Sequence, residues 1–138
     1  MRLVLDTNTA LSALLWQGTP GKLLDAAKQE QVDLFCSTPL LAELHGVITR
    51  AKFVRALAQR GVQAQVLFEG YAALVRLVVP AQITPTIVRD PADDAVLACA
   101  LAAQADAMVS GDAHLLDLKQ YQGMPIIDAA EALRFLAR

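Results

Sequence analysis

The residues of this chain that can do chemistry are its acids. Asp6 follows the apolar run Leu3-Val4-Leu5, Glu43 stands in Leu41-Ala-Glu43-Leu44, and Asp90, Asp93 and Asp94 fall within Arg89-Asp-Pro-Ala-Asp-Asp94. Asp112 follows Val109-Ser110-Gly111. Carboxylates gathered at one partly buried place repel one another strongly, and a hard divalent cation resolves the conflict. All-oxygen donors without a usable His or Cys point to Mg²⁺ or Mn²⁺ rather than zinc. The chemistry that follows is phosphodiester hydrolysis, in which one ion, or two about 4 Å apart, activates water and steadies the leaving oxygen of an in-line displacement.

Whether these acids meet depends on the elements that carry them. Leu3-Val4-Leu5 is a buried-strand run ended by Asp6-Thr7-Asn8, and Leu11, Leu14 and Leu15 begin a helical pattern. Leu23, Leu24 and Ala27 mark a second helix ending near Gln29, and Val32 to Cys36 reads as a second strand. Ser37 or Thr38 then caps a third helix with Pro39 at its start. Its apolar stripe runs Leu40, Leu44, Val47, Ile48, and Glu43 occupies a slot on that inward face. Arg50, Lys52, Arg55 and Arg60 follow in a helical arm with one basic face, whose amphipathic continuation runs to Val78.

After a connection bounded by Pro80 and Pro85, with a short strand near Ile87-Val88, comes the central stretch. Asp90 suits an N-cap, Pro91 the first helical position and Asp93 the third, where a carboxylate meets free N–H groups. The helix then runs through Ala103, apolar on every side, and takes Asp94 into the core on the stripe of Leu97, Ala98 and Leu101. Ala107-Met108-Val109 is a short buried strand ended by Ser110-Gly111-Asp112. His114 to Leu118 forms a short helix or turn, Met124 to Ile127 a last strand, and Asp128-Ala-Ala-Glu131 a capping-box-like start for the closing helix.

Strands alternating with helices at this spacing imply a parallel sheet covered by helices on both faces. Ligand sites in such sheets lie at the carboxyl ends of the strands. Asp6 and Asp112 belong there, and Glu43 and Asp94 are placed to join them.

With 138 residues the chain is expected to form a single domain spanning 1–138. Hydrophobic residues make up 55% and aromatic ones 5%, which describes an Ala/Leu/Val-rich interior rather than a disordered chain or a base-stacking platform. The formal net charge of −2 excludes a broad basic coat but not a local basic patch. Two cysteines, Cys36 and Cys99, in buried elements argue against a disulfide framework. No apolar run approaches the roughly 20 residues of a membrane span, and Met1-Arg-Leu-Val-Leu-Asp6 turns acidic before a signal-like stretch builds up, so a soluble, cytoplasmic protein is expected.

Four segments in this order, Leu-Val-Leu-Asp6-Thr-Asn8, Leu41-Ala-Glu43-Leu, Arg89-Asp-Pro-Ala-Asp-Asp94-Ala-Val-Leu-Ala-Cys-Ala and Val109-Ser-Gly-Asp112, resemble the successive acidic motifs of the PIN-domain ribonucleases. The likeness covers nearly the whole chain and is closest to the VapC-like toxin components of toxin–antitoxin pairs. It implies a three-layer α/β/α sandwich with a central, mainly parallel sheet, and Mg²⁺- or Mn²⁺-dependent cleavage of single-stranded RNA. It also implies homodimers and a cognate antitoxin partner. Residue by residue, it assigns Asp6, Glu43, Asp94 and Asp112 as metal-binding and catalytic acids, and Asn8 and Ser110 as polar residues flanking them. The family more often has Thr where Ser110 stands, and the hydroxyl is kept.

Asp93 is the alternative third acid. Its helix-start position already explains it, whereas Asp94 on the apolar stripe needs another reason to be there. Arg50, Lys52 and Arg55 are candidate RNA contacts, set against the plainer reading of a solvated helix face. His45 and His114 are expected at the surface, and Trp16 and Tyr71 over core or a dimer face. A second function class, a PIN-like module that binds RNA or a protein without cutting, stays open beside the ribonuclease. A phosphoacceptor receiver domain is remote, because no lysine near the last strand matches its pattern.

Overall fold

The computed structural model describes residues 1–16, 18–83 and 91–137. In chain order the elements are β1 (Arg2–Leu5), α1 (Thr7–Leu15), α2 (Gly18–Lys28), β2 (Asp33–Cys36), α3 (Thr38–Ile48), α4 (Ala51–Ala58), α5 (Ala64–Leu74) and β3 (Arg76–Leu77). They continue with α6 (Pro91–Ala102), β4 (Ala107–Val109), α7 (Ala113–Leu118), β5 (Gln120–Tyr121), β6 (Met124–Ile127) and α8 (Ala129–Leu136). The expected Asp90 cap and the strand near Ile87-Val88 lie outside the described residues.

The six strands form one sheet in the order β3-β2-β1-β4-β6-β5. Every pairing is parallel except that of β5 with β6. The chain therefore winds outward from β1 through β2 to β3, then returns to β1's other side and winds outward again through β4 to β6. The reversal between β1 and β4 is where a crevice opens at the carboxyl edge of such a sheet. Leu3, Val4 and Leu5 in β1, and Ala107, Met108 and Val109 in β4, are buried on both faces, as continuous apolar strands in a covered parallel sheet must be.

Helices flank the sheet in the α/β arrangement expected from the sequence. α6 lies against β1, β2 and β4, while α1, α2 and α8 pack in succession on one another and α8 reaches β4. Small side chains let α6 sit close: Val96 to Ala100 are all buried. Two parts differ from the sequence reading. The amphipathic arm ends as a helix at Leu74, where Val75 turns extended and Arg76–Leu77 adds an edge strand to β2. β5, too short to show any periodicity, pairs with β6 through a two-residue turn in which Gln122 and Gly123 have φ of 50° and 84°, the backbone that a tight hairpin requires.

Candidate active site

Each acid is placed by the start or phase of its own element. Asp6 ends β1 and is the N-cap of α1: its Oδ1 accepts the Thr9 N–H at 2.8 Å, and its own N–H continues the ladder to the Val109 carbonyl at 3.0 Å. Asp112 caps α7 in the same manner, with Oδ1 accepting the His114 N–H at 2.7 Å. Ser37 rather than Thr38 caps α3, through a 3.4 Å bond from Leu40 N–H, which sets the phase that half-buries Glu43 among Leu40, Leu44 and Ile48.

The two strand ends are tied together by Ser110. Its hydroxyl donates to Asp6 Oδ2 at 2.5 Å and accepts the Asp112 N–H at 2.9 Å, so one side chain joins both acids across the β1–β4 seam. Asp6 and Ser110 are both buried, which favours charge-assisted bonding of this kind over solvation.

Asp6, Thr7, Asn8, Glu43, Asp93, Val96 and Asp112 line one small cavity of about 50 Å³. The structure thus brings Asp6, Asn8, Glu43 and Asp112 to one place, with Ser110 bonded to Asp6 at its wall. Of the adjacent acids on α6 it is Asp93 that lines the cavity, with Val96 three residues on, while Asp94 is not among the lining residues. The reason is helical phase. Asp93 heads the stripe Val96, Leu97, Ala100, which is wholly buried, whereas Leu101 on the Asp94 stripe is only half-buried.

The donor set is hard and all-oxygen, which fits Mg²⁺ or Mn²⁺. Among the described residues no three of the acids, histidines or cysteines are placed to hold one ion between them. Thr7 escaped the sequence reading, which took it as a strand-ending residue. Its Oγ1 is buried without a hydrogen-bond partner among the described residues, on the wall of the same cavity. Only its position between Asp6 and Asn8 hinted at a role.

Other titratable groups nearby are held neutral. Burial pushes the Cys36 thiol up to about 11, against a weaker opposing bond with the Ser37 backbone. Burial likewise takes Cys99 to about 12, helped by Cys36 and opposed by the Ser37 side chain. Tyr71 is raised well above its usual value by burial first, then by the charges of Cys36, Cys99 and Asp6. None of the three offers an anionic nucleophile at neutral pH.

The remaining candidates lie elsewhere. His45 pairs with Gln65 at 3.0 Å and meets the Phe68 ring edge-on, and His114 is exposed. Arg50, Lys52 and Arg55 are exposed on or beside α4, while Arg60 is committed to the Leu15 carbonyl at 2.8 Å and lies over the Trp16 ring. Tyr71 is core, and Trp16 is exposed. No helix of the described residues is long and apolar enough to cross a membrane.

The family model described as PIN domain matches residues 2–114. A chain of VapBC2 from Rickettsia felis, in the crystal structure of that assembly bound to a DNA fragment from their promoter, matches with a TM-score of 0.60. The match has 16% identity and covers 93% of this chain and 98% of that one, a likeness of fold. No curated protein matches the chain. The family match over most of the length, on the acid-bearing α/β frame just described, makes this chain a member of the PIN domain family.

Proposed function

We propose that this protein is a divalent-metal-dependent endoribonuclease, the toxin component of a toxin–antitoxin pair. One observation carries the reading: Asp6, Glu43, Asp93 and Asp112, from four separate elements, line a single cavity at the switch point of the sheet. Unlinked solvated acids have no reason to converge in this way. Asp93 takes the place that the sequence reading gave to Asp94, on the ground of the cavity lining. A Mg²⁺ or Mn²⁺ ion held by these acids would supply an activated water and stabilisation of the charge that develops on phosphate oxygens.

The chain's own residues do the positioning. Asp6 is fixed on both oxygens, by Thr9 N–H and Ser110 Oγ, so its carboxylate reorganises little as charge builds up. Asn8, at the cavity wall, offers an amide to substrate or bound water. The exposed Arg50, Lys52 and Arg55 provide a basic approach for the RNA backbone. The likeness to VapBC2 supports a cognate antitoxin as partner, and a homodimeric toxin acting in the cytoplasm belongs to the same proposal.

The absence, among the described residues, of three acids poised on one point favours a second reading, a PIN-like module that binds RNA without cutting. One experiment decides between them. Purified protein incubated with a mixed single-stranded RNA pool and Mn²⁺ is expected to cut it, EDTA to abolish cutting, and Asp6→Asn to lower the rate by orders of magnitude while keeping the α1 cap. Binding without cleavage in Mn²⁺ sinks the ribonuclease reading.

A further inference from the structure

A second and larger cavity, about 470 Å³, opens directly beside the acidic one. It is bounded by the starts of three helices: Asn8, Thr9 and Ser12 of α1, Thr19 and Pro20 of α2, and Asp128, Ala129 and Ala130 at α8, with Ser110 and Gly111 as its floor. Asn8 lines both cavities, and Ser110 bonds Asp6, so the two spaces share a wall. Thr9, a residue only 6% exposed, lines the larger one and offers it a hydroxyl.

We propose that this cavity seats one nucleoside of the RNA strand, next to the bond that is cut, and reads its base. The inference rests on the ribonuclease reading. The size fits, since pockets for small ligands run from about 300 to 1,000 Å³. The lining chemistry selects the nucleoside over a second phosphate. Among the described residues no Lys or Arg lines the cavity, and the helix starts that would attract an anion at α1 and α8 are already capped by the carboxylates of Asp6 and Asp128.

What remains is neutral and directional. The hydroxyls of Thr9, Ser12 and Thr19 and the Asn8 amide each donate and accept, and Asp128 keeps Oδ2 for a donor after Oδ1 takes the Glu131 N–H at 2.8 Å. No aromatic ring among the described residues lines the space, so a base is held here by its hydrogen-bonding edges and its ribose, not by sequence-tolerant stacking. Edge recognition discriminates among bases, and the cavity is therefore a specificity subsite.

Cleavage of a random-sequence single-stranded RNA pool in Mn²⁺, with the cut ends sequenced, tests this on the full chain. The parent is expected to prefer one base at one position flanking the cut. Thr19→Val removes a hydroxyl at an exposed helix start, and Asp128→Asn keeps the α8 cap while changing the outer acceptor. Each is expected to weaken that preference by about five-fold, the size of one hydrogen bond, and to leave preferences at other positions and the melting temperature in place. Ser12→Ala serves the same purpose should either variant fail to fold. An unchanged preference in the folded variants, or cutting by the parent with no preference at any flanking position, overturns the subsite and leaves the ribonuclease standing. No cutting by the parent overturns both.

Discussion

Ser110 Oγ reaches Asp6 Oδ2 at 2.5 Å across 104 positions of chain, and through the Asp112 N–H the same oxygen holds the start of α7. A buried carboxylate oxygen is thus served by one replaceable hydroxyl. Ser110→Ala is expected to cost about 1–3 kcal/mol, because it strands the Asp6 oxygen away from water, and to slow metal-dependent cleavage. Ser110→Thr keeps the hydroxyl and is expected to retain both properties. Urea unfolding and cleavage rates of the two variants check this, and an active, fully stable Ser110→Ala protein refutes it.

The two neighbouring acids of α6 are separable by experiment. Asp93→Asn is expected to abolish both cleavage and the rise in melting temperature that Mn²⁺ gives the parent, since a ligand that binds only the native state stabilises it by mass action. Asp94→Asn is expected to keep the Mn²⁺ shift. Melting curves in EDTA and in millimolar Mn²⁺ distinguish them, and the opposite ranking would move the third acid to Asp94.

The buried thiols make stability depend on alkaline pH in a definite direction. An ordinary thiol here titrates at 9.0, but the folded protein keeps Cys36 protonated to about 11 and Cys99 to about 12. Between those values the folded state holds more protons than the unfolded one, so this contribution is fully present below pH 9 and is lost as pH rises from 9 towards 12. Tyr71, raised for the same cause, adds loss of the same sign above 10. Melting temperature is expected to fall between pH 9 and 11, and less steeply in Cys99→Ala. A thiol reagent at pH 8 is expected to label the unfolded chain but not the native one, and rapid native labelling would contradict the burial.

Arg60 and Arg55 are expected to part company when replaced. Arg60→Ala removes the donor to the Leu15 carbonyl and the cation over Trp16, at a cost of about 1–2 kcal/mol. Arg55→Ala, at an exposed site, is expected to change stability by less than about 0.5 kcal/mol. Its effect is expected on RNA binding instead, lowering the slope of log affinity against log salt by about 1. Titrations of RNA at several salt concentrations, beside urea curves, measure both quantities. An unchanged slope would leave Arg55 as a solvated helix face.

Local features of this fold were legible in the chain itself. Ser37 and Asp128, expected as helix starts, each accept from a backbone N–H three residues ahead, an interaction that needs no distant partner, and a local bond of the same kind at Asp6 and Asp112 emerged with the structure. The apolar runs of β1 and β4 and the all-round apolar α6 announced a covered parallel sheet for the same reason, because burial on both faces leaves no polar alternation. The sheet edge at which Asp6 and Asp112 stand was legible as well, since each follows an apolar strand run.

Tertiary structure alone decided which of the acids line one cavity. A helix turns about 100° per residue, so Asp93 and Asp94 differ by more than a quarter turn. Apolar positions lie on both stripes, and it is with α6 packed against β1, β2 and β4 that Asp93 lines the small cavity. The Ser110–Asp6 bond exists because β1 and β4 are neighbours, a pairing set by the strand order and not by any local signal. The larger cavity is assembled from the starts of α1, α2 and α8 and the end of β4. No segment of sequence encodes that space by itself, because its walls are distant in the chain and come together only when the helices dock on the sheet.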